Sequence, residues 1–217
     1  FASDFPNDTG KYHIIKCIEK CRTQPGIWAA SGNACVVHLQ HESMKMKCIQ
    51  EIRIPDACQV RVLHEDDQGN LWIGTENAIY QYSISDGNMR RIHKDTGAIN
   101  GIAISPDKAI YYITETPEFS CLPPDGQVHS IHKGENYSSI IISPDNKIWT
   151  ATLEGNVYSY HPQLQTLARE DNACNANGDA VKSMTVDNLG HLWILADQYV
   201  KEYNPKNHSF RILYRII

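Results

Sequence analysis

The stretch Val60-Arg-Val-Leu-His-Glu-Asp-Asp-Gln-Gly-Asn-Leu-Trp-Ile-Gly-Thr75 decides how this chain of 217 residues folds. Apolar Val60, Val62 and Leu63 enter a polar turn, Asp66 to Asn70, and Leu71, Trp72 and Ile73 leave it. An apolar run on each side of a Gly-Asn turn reads as two antiparallel strands. One hairpin of this size is marginal in water, so it needs copies of itself to bury its faces.

Aligned on Trp72, the copies appear. They are Ile18 to Ser31 around Trp28, Ile102 to Thr114 around Tyr111, Ile140 to Thr152 around Trp149, and Met184 to Ala196 around Trp193. The anchors Trp28, Trp72, Tyr111, Trp149 and Trp193 are 44, 39, 38 and 44 residues apart, and all four tryptophans of the chain share this register. After each anchor strand comes a polar break and an alternating strand, as in residues 34–39, 78–82, 156–160 and 199–203. A fourth strand follows in 46–52, 86–94, 125–133 and 209–214. Four strands in each repeat of about 40 residues is the arithmetic of a β-propeller blade. An all-β sandwich would also show many short strands, but it has no reason to repeat an aromatic at a fixed point.

The expected fold is therefore all-β: a propeller of four-stranded antiparallel blades, about five of them, over one domain spanning 1–217. The repeats are taken as 12–54, 55–94, 95–133, 134–172 and 173–217, with residues 1–12 as a lead-in. Five blades can close on themselves or belong to a larger ring. The chain opens at Phe1 without an initiator Met, a basic n-region or an apolar h-region, and so reads as a mature protein or an excised fragment.

Composition excludes several classes. Hydrophobic residues make up 41% and charged residues 21%, as in a folded rather than a disordered chain. The net charge of −5 argues against a nucleic acid or an acidic membrane surface as partner. No apolar run approaches the roughly 20 residues that span a bilayer. Seven cysteines allow one or two local disulfides among positions 17, 21, 35, 48 and 58 in an oxidising compartment; alternatively they are small buried hydrophobes. None shows paired C-x-x-C spacing, and the ten histidines form no H-E-x-x-H or H-x-H pattern, so no metal or other cofactor is expected.

The second and fifth repeats resemble a specific family. The runs Asp66-Asp-Gln-Gly-Asn-Leu-Trp-Ile-Gly-Thr75 and Asp187-Asn-Leu-Gly-His-Leu-Trp-Ile-Leu-Ala196 look like the regulator-propeller repeat. The third repeat departs from it with Tyr111, and the third and fourth carry Ser-Pro-Asp turns at Ser105 and Ser143 that occur in many propellers. The resemblance implies the periplasmic sensor domain of a Bacteroides-type hybrid two-component system protein. That role is non-catalytic, with a periplasmic or extracellular location. It would sense an oligosaccharide or other small molecule and signal to a downstream kinase, without contact to nucleic acid or membrane. Its implied partners are further blades, an immunoglobulin-like domain and, compatibly, a second copy as a homodimer. The alternatives are a lactonase- or lyase-type propeller enzyme with an axial metal and a protein-interaction scaffold.

A motif that recurs in every blade is scaffold, so a binding site belongs where the repeats differ, in the loops entering the first strand and those after the anchor strand. Those loops offer Arg61, Glu76, Asn77, Asn100, Tyr137, Lys182 and Asp197 as ligand-binding candidates, with Asp56, Gln59, Asn136, Asp179 and Gln198 beside them. Amides, charges and an aromatic in this mixture suit a sugar.

Overall fold

The computed structural model describes residues 15–31, 34–43, 45–56, 59–94, 97–174 and 178–215. The lead-in and Cys58 lie outside them. The described residues form five four-stranded antiparallel blades, the β-propeller architecture that the repeats call for. Blade 1 is β1 (Ile15–Lys20), β2 (Ile27–Ser31), β3 (Cys35–Glu42) and β4 (Lys45–Arg53). Blade 2 is β5 (Val60–Glu65), β6 (Asn70–Thr75), β7 (Ala78–Ser83) and β8 (Met89–Lys94). Blade 3 is β9 (Ile99–Ile104), β10 (Ile110–Thr114), β11 (Glu118–Leu122) and β12 (His129–Lys133). Blade 4 is β13 (Tyr137–Ile142), β14 (Ile148–Thr152), β15 (Val157–His161) and β16 (Thr166–Arg169). Blade 5 is β17 (Val181–Val186), β18 (Leu192–Ala196), β19 (Tyr199–Asn204) and β20 (Ser209–Arg215). In every blade the strands pair in chain order. The chain divides into two compact units, residues 1–99 and 100–217.

The opening motif closes on itself. The Asp66 carboxylate accepts from the backbone N–H of Gln68 and of Asn70, each at 2.9 Å, and its second oxygen accepts the Trp72 indole N–H at 2.8 Å. Gly69 supplies the left-handed backbone this turn requires (φ 77°), as Gly190 does in blade 5 (φ 83°). Asn70 and His191, which follow these glycines, do not adopt positive φ. In blades 3 and 4, Lys108 and Asn146 hold the same left-handed position after Ser-Pro-Asp, so one turn geometry is reached with different residues. Asp187 repeats the Asp66 pattern, with Trp193 donating at 3.1 Å; Ser143 replaces it in blade 4, accepting from Trp149 at 3.0 Å.

Blade 1 lacks the acid in its own turn, and its tryptophan reaches into the next blade. Trp28, with no exposed surface, donates its indole N–H to Glu65 at 2.7 Å. The backbone N–H and hydroxyl of Thr23 donate to the other Glu65 oxygen at 2.8 and 2.5 Å. Burial pushes the Glu65 carboxyl up, but these hydrogen bonds outweigh it and hold the group below the usual range. Around this clamp Val36, Ile52 and Ile54 of blade 1 pack on Leu63, Leu71, Ile73 and Tyr80 of blade 2. Gly74 is required by space: a Cβ there would lie 2.5 Å from Val62 and 2.8 Å from Ile99.

In the second unit Phe119, Tyr137 and Tyr160 join blades 3 and 4, with ring centroids 5.9–6.0 Å apart. Trp149, Leu192, Ile194 and Tyr203 join blades 4 and 5. Lys201, only 4% exposed, ties a loop to blade 5 by donating to the carbonyls of Ala173 and Cys174 at 3.1 and 2.7 Å. Its charge lies 4.7 Å from the Phe210 ring centre.

The described cysteines are all free thiols, which corrects the expectation of local disulfides: Cys21, Cys35, Cys121 and Cys174 are buried, Cys17 and Cys48 half-buried. They act as small apolar residues, and burial pushes the Cys21 thiol up to about 11 and Cys17 up to about 12. No helix among the described residues is long and apolar enough to cross a membrane.

Two expectations follow. Glu65→Ala takes the acceptor from three donors, the buried Trp28 indole among them, and should lower stability by about 3 kcal/mol in urea unfolding, with Glu65→Gln intermediate; equal stability of Glu65→Ala and the parent would refute the clamp. His64, 3.7 Å from Glu19, is held down to about 4, first by burial and then by Arg22. An unfolded histidine protonates near 6.5, so the unfolded state gains protons first as pH falls from 6.5 to 4. Stability should drop across that window, by an amount on the order of 3 kcal/mol. His64→Gln should lose less on acidification from pH 7 to 4.5, measured by urea midpoints.

Candidate functional site

The first strands of blades 1, 2, 4 and 5 begin with a register slip against their second strands, which gives the site its geometry. In blade 2, Val60 pairs with Thr75 and Val62 with Gly74, leaving Arg61 as the extra residue. In blade 5, Val181 pairs with Ala196 and Ser183 with Leu195, leaving Lys182. Blades 1 and 4 slip the same way at Lys16 and Ser138. Asn100 occupies the corresponding second position of β9. A β-bulge turns the extra side chain out of the alternating pattern and toward a free edge, a device common beside functional sites. Lys16, Arg61, Asn100 and Lys182 are exposed and Ser138 is half-buried. Three sequence-level candidates, Arg61, Asn100 and Lys182, thus share one structural position. Lys16 and Ser138 were missed because a bulge leaves no mark in the apolar pattern.

The loops between second and third strands meet this edge. In blade 4 the Leu153 N–H donates to the Asn136 carbonyl at 2.9 Å, and in blade 5 the Asp197 N–H donates to the Ala180 carbonyl at 3.2 Å. The loop before each of these first strands is thereby held against the loop after the anchor strand of the same blade. Lys182 Nζ lies 3.0 Å from Asp197, both about half exposed. Asn136 donates to Glu154 at 2.5 Å, while Tyr158 and Asn156 donate to Glu135 at 2.8 and 3.1 Å. Glu135 and Glu154 were not singled out in the sequence.

In the first unit, Thr75 ties the corresponding turn by bonding to Ala78 in both directions at 3.1 Å, with half-buried Glu76 and exposed Asn77 at its tip. Arg91 approaches Asp56 at 4.0 Å. Tyr137 differs from the other candidates. It is 4% exposed, its hydroxyl meets His132 Nδ1, and its ring packs edge-on to Phe119. The structure places it in the core between blades rather than on the edge.

Blade 5 carries the one group of potential metal donors found among the described residues: Asp187, His191 and Glu202. His191 Nδ1 lies 2.8 Å from Glu202 and 3.9 Å from Asp187. The register equivalents in blade 2 are Asp66, Asn70 and Gln81, with Arg90 opposite Gln81 as Arg211 is opposite Glu202. The donors are already engaged: two backbone N–H groups and Trp193 bond Asp187, and Arg211 bonds Glu202. The N–H of His191 and the Trp193 indole hold the Asp187 carboxyl below its ordinary range, and Arg211 with His191 does the same for Glu202. These donors come from the β17–β18 turn and β19, not from first strands, so the arrangement is an ion-pair network and differs from the axial carboxylates expected of a lactonase-type enzyme.

Comparison with known proteins now has a geometry to rest on. Residues 54–77 match the two component regulator propeller family. The matched segment is β5, the Asp66 turn and β6, so the resemblance read from sequence is borne out at this repeat. No curated protein matches the chain. The extracellular domains of two hybrid two component systems from B. thetaiotaomicron superpose with a TM-score of 0.72 each, at 16% and 15% identity. They cover 94% and 92% of this chain, which spans 28% of each. The WD40 domain of Pan2 from Neurospora crassa superposes with a TM-score of 0.73 at 15% identity, covering 93% of this chain and 66% of its own. At these identities the similarity shows the fold: regulator-propeller blades and WD40 blades share one architecture.

Exposed ion pairs contribute little to stability, and Lys182–Asp197 is one. Lys182→Ala and Asp197→Ala should each change unfolding stability by less than about 1 kcal/mol. A larger loss in urea unfolding would make the pair a structural brace rather than part of an open edge.

Proposed function

We propose that this chain is a non-catalytic sensor propeller of a hybrid two-component signalling protein, holding an oligosaccharide at its bulge-and-loop edge. The observation that carries this reading is the regulator-propeller match at residues 54–77. The extracellular nature of the B. thetaiotaomicron neighbours supports a periplasmic or extracellular setting. Their greater length supports further blades and domains, an immunoglobulin-like one among them, as the parts that receive the signal; a homodimer would let two such edges report together.

The chemistry at the edge supports a sugar. In the second unit Asn100, Lys182 and Asp197 offer an amide that both donates and accepts, a cationic donor and a carboxylate acceptor; Arg61 and Asn77 offer a cation and an amide on the edge of the first unit. Presented from bulges and short turns on rigid sheets, such groups lose little freedom on binding. An oligosaccharide hydroxyl inserted between Lys182 and Asp197 would trade their ion pair for two charge-assisted hydrogen bonds. The repeated motif itself is fully committed to the blade, which supports a binding rather than a catalytic role.

Titration calorimetry of the chain against a panel of neutral and acidic oligosaccharides tests this. A binding member should lose about tenfold in affinity in Lys182→Ala or Asp197→Ala, as expected for one hydrogen bond to a charged group. Absence of heat across the panel, or affinity unchanged in both variants, would overturn the assignment of this edge.

A further inference from the structure

The third strands of blades 2, 4 and 5 carry a tyrosine at one register position. Tyr82 lies opposite Leu71, Tyr160 opposite Ile148, and Tyr203 opposite Leu192. All three are buried. Two of the hydroxyls are satisfied by the protein. Gln50, on the outer strand of blade 1, donates to Tyr82 at 2.6 Å, and Tyr203 donates to Glu170 at 2.8 Å with His208 at 2.9 Å.

Tyr160 differs. Its ring packs on Tyr111 and Phe119, but its hydroxyl has no hydrogen-bond partner among the described residues. By register, the place of Gln50 is taken in blade 3 by His129, exposed at the start of β12. Between them lies a cavity of about 370 Å³ lined by His129, Ser130, Ile131, Tyr160 and Gln165. The Tyr160 ring is buried while its hydroxyl reaches the open cavity, where it is available to a ligand.

We propose that this cavity, at the outer strands of blades 3 and 4, is a binding site for a neutral polyhydroxylated ligand about one sugar ring in size. The wall holds no carboxylate, lysine or arginine, so it offers nothing to balance a charged ligand. The hydroxyls of Tyr160 and Ser130, the Gln165 amide and the His129 ring supply both donors and acceptors, as a polyol requires. Burial raises the Tyr160 phenol, so it stays a protonated donor. Ile131 gives the apolar surface that the C–H face of a sugar ring covers. The volume falls at the small end of the range typical of ligand sites. The site is separate from the first-strand bulges and does not rest on the sensor reading above.

Saturation-transfer NMR on the full chain with methyl β-glucoside and methyl β-galactoside, and with glucuronate as the charged probe, decides the matter. At least one neutral glycoside should receive transfer, with glucuronate weaker. Tyr160→Phe, which removes only the hydroxyl, should weaken binding by roughly three- to tenfold, the worth of one neutral hydrogen bond. Ser130→Trp, placing bulk at an exposed strand position, should abolish it; both variants should melt as the parent does. Should Tyr160→Phe melt early, Ser130→Trp carries the test alone. No transfer from either glycoside, preference for glucuronate, or a signal unchanged in Ser130→Trp would overturn the proposal.

Discussion

Every tryptophan anchor of this fold sets the same problem: its indole N–H is taken largely out of water on a strand buried between blades and must be given an acceptor. The answer determines how each blade is closed. Where the hairpin turn begins with aspartate, as at Asp66 and Asp187, one carboxylate caps the turn and takes the indole. Where it begins with serine, a hydroxyl does so, as Ser143 does for Trp149. Blade 1 has neither, and Glu65 of blade 2 supplies the acceptor. A buried, unpaired indole or carboxylate would each cost more than a typical surface contact contributes. Turn chemistry and blade stacking are therefore linked through one interaction.

That economy separates scaffold from site. Residues of the Asp-x-x-Gly-Asn-Leu-Trp run are spent on closing the hairpin, whereas the bulge position in blades 1, 2, 4 and 5 is left to vary: Lys16, Arg61, Ser138 and Lys182. A bulge frees its side chain from the core-facing alternation, so any residue type is tolerated there without loss of packing. Blade 5 shows the same freedom in its hairpin turn and third strand, where His191 and Glu202 stand in for the neutral Asn70 and Gln81 of blade 2 and recruit Arg211 into an ion-pair network. Variation at fixed geometry is how one blade design serves different chemistry.

Much of the fold was legible because the anchors and the alternating third strands repeat locally, within hairpins that need no distant contact to be recognised. The strands that escaped notice, β11 (Glu118–Leu122) and β16 (Thr166–Arg169), are short; β11 is almost wholly buried and lacks alternation, and β16 is a mostly exposed edge. The site was legible only in part. Loop residues such as Lys182 and Asp197 were found because they stand where the repeats differ. Tyr137 was misplaced because an aromatic at a strand entry looks alike whether it faces a ligand or packs on Phe119 and His132.

The sequence by itself determined the all-β class, the blade count and the register of the anchors, since period, turn residues and aromatic spacing are written along the chain. It also carried the regulator-propeller signature in residues 54–77. Tertiary structure alone decided that Glu65 clamps Trp28, that the described cysteines remain free thiols, and that Tyr160 opens on a cavity while Tyr82 and Tyr203 are bonded within the protein. The physical reason is common to all three. Each depends on which side chain a neighbouring element sends across a packed interface, and no local pattern specifies that partner.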